Sequence, residues 1–189
     1  MRCANTARSS MRAGISLMEN KQKKRAAFFD RDGTLNVDKG YLYRKEDFAW
    51  LEDAVDAIRA CNEAGVLVIV VTNQSGVARG YYKEADIRAL HDWMNDDLAN
   101  YGAHIDGFYY CPHLPDGTVE KYAVICDCRK PKPGLIKEAC RDFPIDRSRS
   151  FLIGDSPRDL ECAERAGVKS YRYEGGSLLA MVRHALSEG

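Results

Sequence analysis

A doubly wound α/β domain built on a parallel sheet is the fold class that this 189-residue sequence predicts, and three observations predict it. Apolar runs and amphipathic helical segments alternate along the chain from residue 26 onward. One run, Val66-Leu67-Val68-Ile69-Val70-Val71, is β-branched and apolar on both faces, as a strand covered by helices on either side of a sheet must be. Three runs end on short polar motifs, placing Asp30, Thr72 and Asp155 just after or at a strand's C-terminal end. Strand alternating with helix implies right-handed crossovers and parallel pairing, and such sheets bind ligands beyond the C-terminal ends of their strands.

The elements follow in order. Ala26-Ala27-Phe28-Phe29 is the first strand. Residues 53–64 read as an amphipathic helix, with Ala54, Val55, Ile58 and Cys61 on one face and Gly65 as its stop. The run at 66–71 is the next strand and should lie inside the sheet. Residues 83–101 carry Ile87, Leu90, Met94 and Leu98 at helical spacing. A third strand is expected at 107–110, a helix at 134–142, a fourth strand at 150–154, and the last clear helix at 159–166.

Bulk properties bound the rest. The length suits one domain, taken as residues 26–189. Residues 1–25 are basic and polar, lack the apolar core of a secretory signal, and are expected to be a disordered extension, with a transit peptide as the second reading. The formal charge is zero, so no global field recruits nucleic acid or an anionic membrane. No apolar stretch is long enough to span a bilayer. Seven cysteines, an odd number and partly clustered, fit a reducing compartment with metal binding better than a disulfide framework. A soluble, cytoplasmic monomer is the expectation, with Cys3, Cys61, Cys140 and Cys162 as bystanders.

Chemistry concentrates in two places. In extended chain residues i and i+2 share a face, so Asp30 and Asp32 address one site while Arg31 points away and Gly33 frees the backbone to turn. Adjacent carboxyls repel unless a cation or a proton intervenes, which suits chemistry better than stability. The plainer readings are an Asp30 that caps a helix, a Thr72 in a turn, and an Asp155-Ser156-Pro157 Asx-turn. Downstream, Cys111-Pro112-His113 and Cys126-Asp127-Cys128 supply three thiols and one imidazole, a complete tetrahedral zinc set. The chain between them holds Pro115, Asp116 and Gly117 and can bury little apolar surface, so a structural Zn²⁺ would offset its ordering cost. Ordinary loop cysteines are the alternative.

Asp30-Arg31-Asp32-Gly33-Thr34, Val71-Thr72-Asn73-Gln74-Ser75-Gly76, Arg129-Lys130-Pro131 and Gly154-Asp155-Ser156-Pro157-Arg158-Asp159 together resemble, in order and placement, the four motifs of the haloacid dehalogenase superfamily. The resemblance covers nearly all of residues 26–170. It implies a Rossmann-like sheet, with Asp30 as the nucleophile that forms an aspartyl phosphate and Asp32 as the general acid and base. It implies further that Thr72 and Lys130 hold the phosphoryl oxygens, and that Asp30, the Asp32 main-chain carbonyl and Asp155 hold one Mg²⁺. Asp159 is expected to support the site from behind, and Lys132 to be a solvated side chain. The motifs stand too close together for a large cap domain, so the site should be open.

Within the superfamily, a capless chain with this zinc loop is similar to two families, the heptose bisphosphate 7-phosphatases and the histidinol-phosphate phosphatases. Residues 36–42, 72–82 and 128–134 resemble the first. That resemblance implies a sugar bisphosphate substrate on the way to ADP- or GDP-heptose. Asp38, Lys39, Gly40 and Tyr41 would meet the sugar, Asn73, Gln74 and Ser75 would border the phosphate, and Arg129 would read the distal phosphate. Arg44, Arg79 and Lys83 are further cationic candidates or plain surface charge. Histidinol-phosphate hydrolysis and a catalytically silent regulator remain the alternatives. A nucleic-acid end-processing role lacks the basic stripe with interleaved aromatics that it would need.

Overall fold

A computed structural model describes residues 23–188. The strands are β1 (Ala26–Phe29), β2 (Leu67–Asn73), β3 (Gly107–Cys111), β4 (Phe151–Gly154) and β5 (Lys169–Arg172). The helices are α1 (Ala54–Glu63), α2 (Glu84–Ala99), α3 (Gly134–Asp142), α4 (Pro157–Ala166) and α5 (Leu178–Ser187). The five strands form one parallel sheet in the order β3-β2-β1-β4-β5. The chain moves outward from β1 to β2 and β3, then returns through α3 to β4 on the other side of β1. That reversal opens a crevice at the C-terminal end of β1, where parallel sheets place their ligands.

Side-chain alternation feeds two cores. Ala27, Phe29, Val68 and Val70 face α1, α2 and α5, while Ala26, Phe28, Ile69 and Val71 face α3 and α4. Phe28 and Phe29 are fully buried on opposite faces of the central strand, each stabilising the fold by roughly 1.5–3 kcal/mol. β2 is buried throughout Leu67–Thr72, which explains its unbroken apolar run.

The chain continues past the expected last helix with β5 and α5. β5 is an edge strand whose Lys-Ser-Tyr-Arg sequence buries none of its four residues fully, so it carries no apolar run to read. α5 packs Leu178, Val182 and Ala185 into the first core. Asp53, at the start of α1, caps α5 from across the fold by accepting from the Leu178 and Leu179 amides, both at 3.0 Å. α4 starts at Pro157, two residues earlier than expected, because Ser156 caps it and the Asp159 carboxylate accepts from the Ser156 amide at 3.0 Å.

Most of the stretch expected to be a disordered extension, residues 1–22, lies outside the described residues. Lys24 pairs with the turn after α3, its amide donating to the Pro144 carbonyl at 2.7 Å. The Arg25 guanidinium donates to the Leu186 and Ala185 carbonyls at the end of α5. Among the described residues no helix is long and apolar enough to cross a membrane.

Candidate active site

Asp30 follows β1 directly, and its amide continues the sheet by donating to the Ile153 carbonyl at 3.0 Å. Its Oδ1 accepts from the Arg31 amide at 2.7 Å and meets the Lys130 Nζ at 2.9 Å. Lys130 also meets Asp159 Oδ1 at 2.6 Å, so one buried ammonium ties the third motif to the first and the fourth. Burial alone would push that ammonium's pKa down, but the carboxylates of Asp30 and Asp159 outweigh it and hold it above its ordinary value. Burial is also the main cause raising Asp30, to about 6; Asp159 and Asp32 add to it and Lys130 opposes. Asp155 is raised in the same direction, by burial first and Asp159 second.

Glycines let these groups converge. Gly33 sits at φ +81°, and a Cβ there would lie 2.4 Å from Asp155 Oδ2. Gly154 lies so close to Asp159 that a Cβ would come within 2.5 Å of that residue's own Cβ. The carboxylate oxygens of Asp30, Asp155 and Asp159 lie within 4.8 Å of one another, an oxygen-rich set suited to a hard divalent cation. Asp159 is already committed to Lys130 and to the α4 cap, which leaves Asp30 and Asp155 as the two carboxylates of this set that line the cleft.

Asp32 is held from several sides. Asn36 Nδ2 donates to its Oδ1 at 3.1 Å and Gln74 Nε2 to its Oδ2 at 2.9 Å. Gln74 is itself fixed by the Tyr82 hydroxyl at 2.8 Å and by the Thr72 hydroxyl at 3.0 Å. The remaining contact is one that sequence reasoning missed. Arg31 does leave the cleft, but its guanidinium, fully buried, turns back and places Nη2 3.0 Å from both Asp32 oxygens. Behind it, Nη1 faces His91 Nε2 at 3.4 Å, and His91 stacks on Phe108 at 4.3 Å between centroids. Burial, then the Arg31 charge, holds His91 far below the ordinary histidine range. Because a guanidinium can only donate, the neutral ring presents Nε2 as acceptor. No local signal in the sequence joins Arg31 to a histidine on α2.

These groups open on a cleft of about 360 Å³ lined by Asp30, Asp32, Asp38, Gly40, Tyr41, Thr72, Asn73, Gln74, Ser75, Tyr82, Lys130, Asp155 and Arg158. Of the residues expected on the substrate side, Lys39 and Arg129 do not line it. Arg129 instead donates to the His113 carbonyl at 3.2 Å. Arg44 lies over the Tyr43 ring and Arg79 over the Tyr41 ring, neither on the cleft wall. Tyr82 and Arg158 line the cleft without having been singled out; both sit inside the quoted motifs, which was the available signal. Tyr41 holds φ +52°, next to Gly40 at φ +69°, and Asp38 supports that turn by accepting from the Gly40 amide at 2.8 Å.

The second cluster stands beside this cleft. Ligand atoms of Cys111, His113, Cys126 and Cys128 lie within 4.8 Å of one another, as the spacing of the two pairs predicts. Three thiols and one imidazole, all soft or borderline donors, fit Zn²⁺ and would leave no open position for a substrate. Lys132 braces this loop, its ammonium donating to the Cys126 carbonyl at 2.9 Å, so it is more than a solvated side chain. The cluster touches the phosphate site through main chain. Lys130 exchanges two hydrogen bonds with the Asn73 side chain, at 3.0 and 3.1 Å, and the Gln74 amide donates to the Cys111 carbonyl at 2.8 Å.

Comparison with known proteins agrees with this geometry. The HAD-hydrolase-like family model matches residues 127–183. A D-glycero-β-D-manno-heptose-1,7-bisphosphate 7-phosphatase of Rhodopseudomonas palustris is 46% identical over 163 residues, 86% of this chain and 91% of its own. The enzyme of that name from Escherichia coli K12 is 44% identical over 143 residues, 76% of this chain and 75% of its own. Among solved structures, the D,D-heptose 1,7-bisphosphate phosphatase of B. bronchiseptica, complexed with magnesium and phosphate, aligns with a TM-score of 0.75 at 31% identity, over 87% of this chain and 99% of that one.

Proposed function

We propose, for a chain that belongs to the heptose-1,7-bisphosphate 7-phosphatase family of haloacid dehalogenase-like hydrolases, that it removes the 7-phosphate from D-glycero-D-manno-heptose 1,7-bisphosphate. The observation that carries this reading is the convergence of Asp30, Asp32, Thr72, Lys130 and Asp155 on one open cleft at the sheet's switch point. The β-anomer in the relatives' names favours that anomer.

Asp30 is the nucleophile. Its Oδ1 is held by Arg31 and Lys130, which fixes the carboxylate for in-line attack on phosphorus and formation of an aspartyl phosphate. Asp32 passes a proton to the leaving sugar oxygen and later takes one from the water that hydrolyses the intermediate. Lys130 and Thr72 hold the phosphoryl oxygens. Asp30, the Asp32 main-chain carbonyl and Asp155 are the groups that would hold Mg²⁺, an all-oxygen set suited to a hard divalent cation. The bound ion supplies positive charge against the equatorial oxygens. Asp159 positions Lys130. Zn²⁺ on Cys111, His113, Cys126 and Cys128 orders the neighbouring loop. The protein is read as a cytoplasmic monomer that acts on a small sugar bisphosphate and engages neither nucleic acid nor membrane.

Phosphate release from heptose 1,7-bisphosphate of each anomer and from histidinol phosphate, with Mg²⁺ present, tests the reading. Preference for histidinol phosphate would move the assignment, and no turnover of any would favour a silent regulator. Lys130→Ala is expected to lose about 10²-fold or more in kcat, whereas Lys132→Ala should change it only a few-fold; equal losses would sink the assignment. Mg²⁺ binding should release protons near pH 6, where Asp30 is half protonated, and release almost none at pH 8. Calorimetry in two buffers of different ionisation enthalpy reads this directly.

A further inference from the structure

Arg31 and His91 are fully buried, and neither lines the cleft. The Arg31 guanidinium meets three acceptors: the Asp32 carboxylate, the Leu42 carbonyl at 2.8 Å and His91 Nε2 at 3.4 Å. The Asp32 side chain beside it is 21% exposed, so a desolvated cation stands directly behind the carboxylate read as the general acid. His91 belongs to the buried stripe of α2 with Ile87, Leu90 and Met94, where an apolar side chain would pack at no polar cost. Instead its ring, stacked on Phe108, turns Nε2 to the guanidinium and leaves Nδ1 buried with no hydrogen-bond partner among the described residues. A buried orphan donor costs stability, so packing does not account for a histidine here. What the ring does supply is a neutral acceptor at the far end of Arg31.

We infer that His91 is a positioning residue for proton transfer to the leaving group, acting through Arg31 to fix the Asp32 carboxylate, an inference that rests on the phosphatase reading above and on its general acid. Adjacent residues of extended chain point to opposite faces, so nothing local returns the Arg31 guanidinium to Asp32. His91 from α2 and Leu42 from the chain between β1 and α1 hold its outer nitrogens, and Nη2 then reaches both Asp32 oxygens. Asn36 completes the hold at Oδ1 and Gln74 at Oδ2. Turning the carboxylate about its Cβ–Cγ bond therefore breaks hydrogen bonds at both oxygens together. A general acid works only within hydrogen-bond reach of the atom that it protonates, so orientation lost at Asp32 is rate lost at the leaving oxygen.

The test compares two leaving groups. A sugar alkoxide must be protonated as it departs, whereas the phenolate of p-nitrophenyl phosphate leaves without a proton. His91→Phe keeps the stack on Phe108 and removes the acceptor; His91→Gln keeps an acceptor. His91→Phe is expected to lose about tenfold in kcat/KM on heptose 1,7-bisphosphate and less than about twofold on p-nitrophenyl phosphate, with KM for the sugar unchanged. His91→Gln should recover part of the loss. Arg31→Met should show the same split at about 10²-fold, and if it does not fold the His91 pair carries the test alone. In an Asp32→Asn background His91→Phe should cost nothing further, since the group that it positions is gone. Equal losses on the two esters would make His91 a packing residue and overturn the inference. So would an undiminished rate on the sugar, or a full additional loss in the Asp32→Asn background. A wild type that hydrolyses no sugar phosphate would overturn the phosphatase reading and the inference with it, and is told apart by needing no variant.

Discussion

Asp30→Asn is expected to abolish turnover, by on the order of 10⁴-fold or more, while leaving the fold intact. The substitution is nearly isosteric and keeps an oxygen to accept from the Arg31 amide, but an amide oxygen does not attack phosphorus to give a stable phosphoryl-enzyme. Acid quench during turnover followed by mass spectrometry should find a phosphorylated peptide spanning Asp30 in the wild type and none in the variant. The same pair of proteins reads out the cost of the site. Asp30 binds its proton more tightly in the folded protein, with its pKa raised from 3.8 to about 6. Its favourable share of stability is therefore present below pH 3.8 and is lost as pH rises through about 6. Without metal, the difference in melting temperature, variant minus wild type, should grow between pH 4 and pH 7. The corresponding difference in unfolding free energy has a ceiling of about 3 kcal/mol, from the 1.36 kcal/mol per pH unit of linkage. A flat difference would mean that Lys130 neutralises the burial of Asp30 completely.

The positions of Asp30 and Thr72 were legible in the sequence because periodicity places them at strand ends, and the switch point then brings those ends together; the roles read for them came from the resemblance. Asp155 was legible for the same reason. What surrounds Asp32 was not. The partners of Arg31 come from α2 and from the loop at Leu42, and only packing decides that its guanidinium returns to Asp32 rather than going to solvent. Asp159 illustrates a middle case. Its place one turn into a helix suggested a supporting role, yet its pairing with a lysine from another motif needed the fold. β5 and α5 escaped for opposite reasons: an edge strand carries little apolar signal, whereas Leu178, Val182 and Ala185 carry a helical period that stood in plain view.

Loss of zinc should cost catalysis as well as stability, because the cluster is wired to the phosphate site by main chain. Cys128 is two residues from Lys130, whose backbone is held on the other side by Asn73. Cys111 ends β3, and its carbonyl holds the Gln74 amide, while the Gln74 side chain reaches Asp32 and Thr72. If the ligands part, both the Lys130 ammonium and the Gln74 donor to Asp32 lose their register. Structural Zn²⁺ contributes roughly 10–16 kcal/mol of apparent binding free energy in isolated zinc modules, far more than such a loop gains from apolar burial. Cys126→Ser is the cleanest probe, since Cys126 is only half-buried and the change removes one donor with little change of volume. The wild type should hold one zinc per chain. The variant should lose it, melt lower, and fall by about 10²-fold in kcat with Mg²⁺ saturating. A variant that loses zinc and keeps its kcat would show that Asn73 and the sheet hold Lys130 unaided. The loop would then be a stability device that merely borders the site.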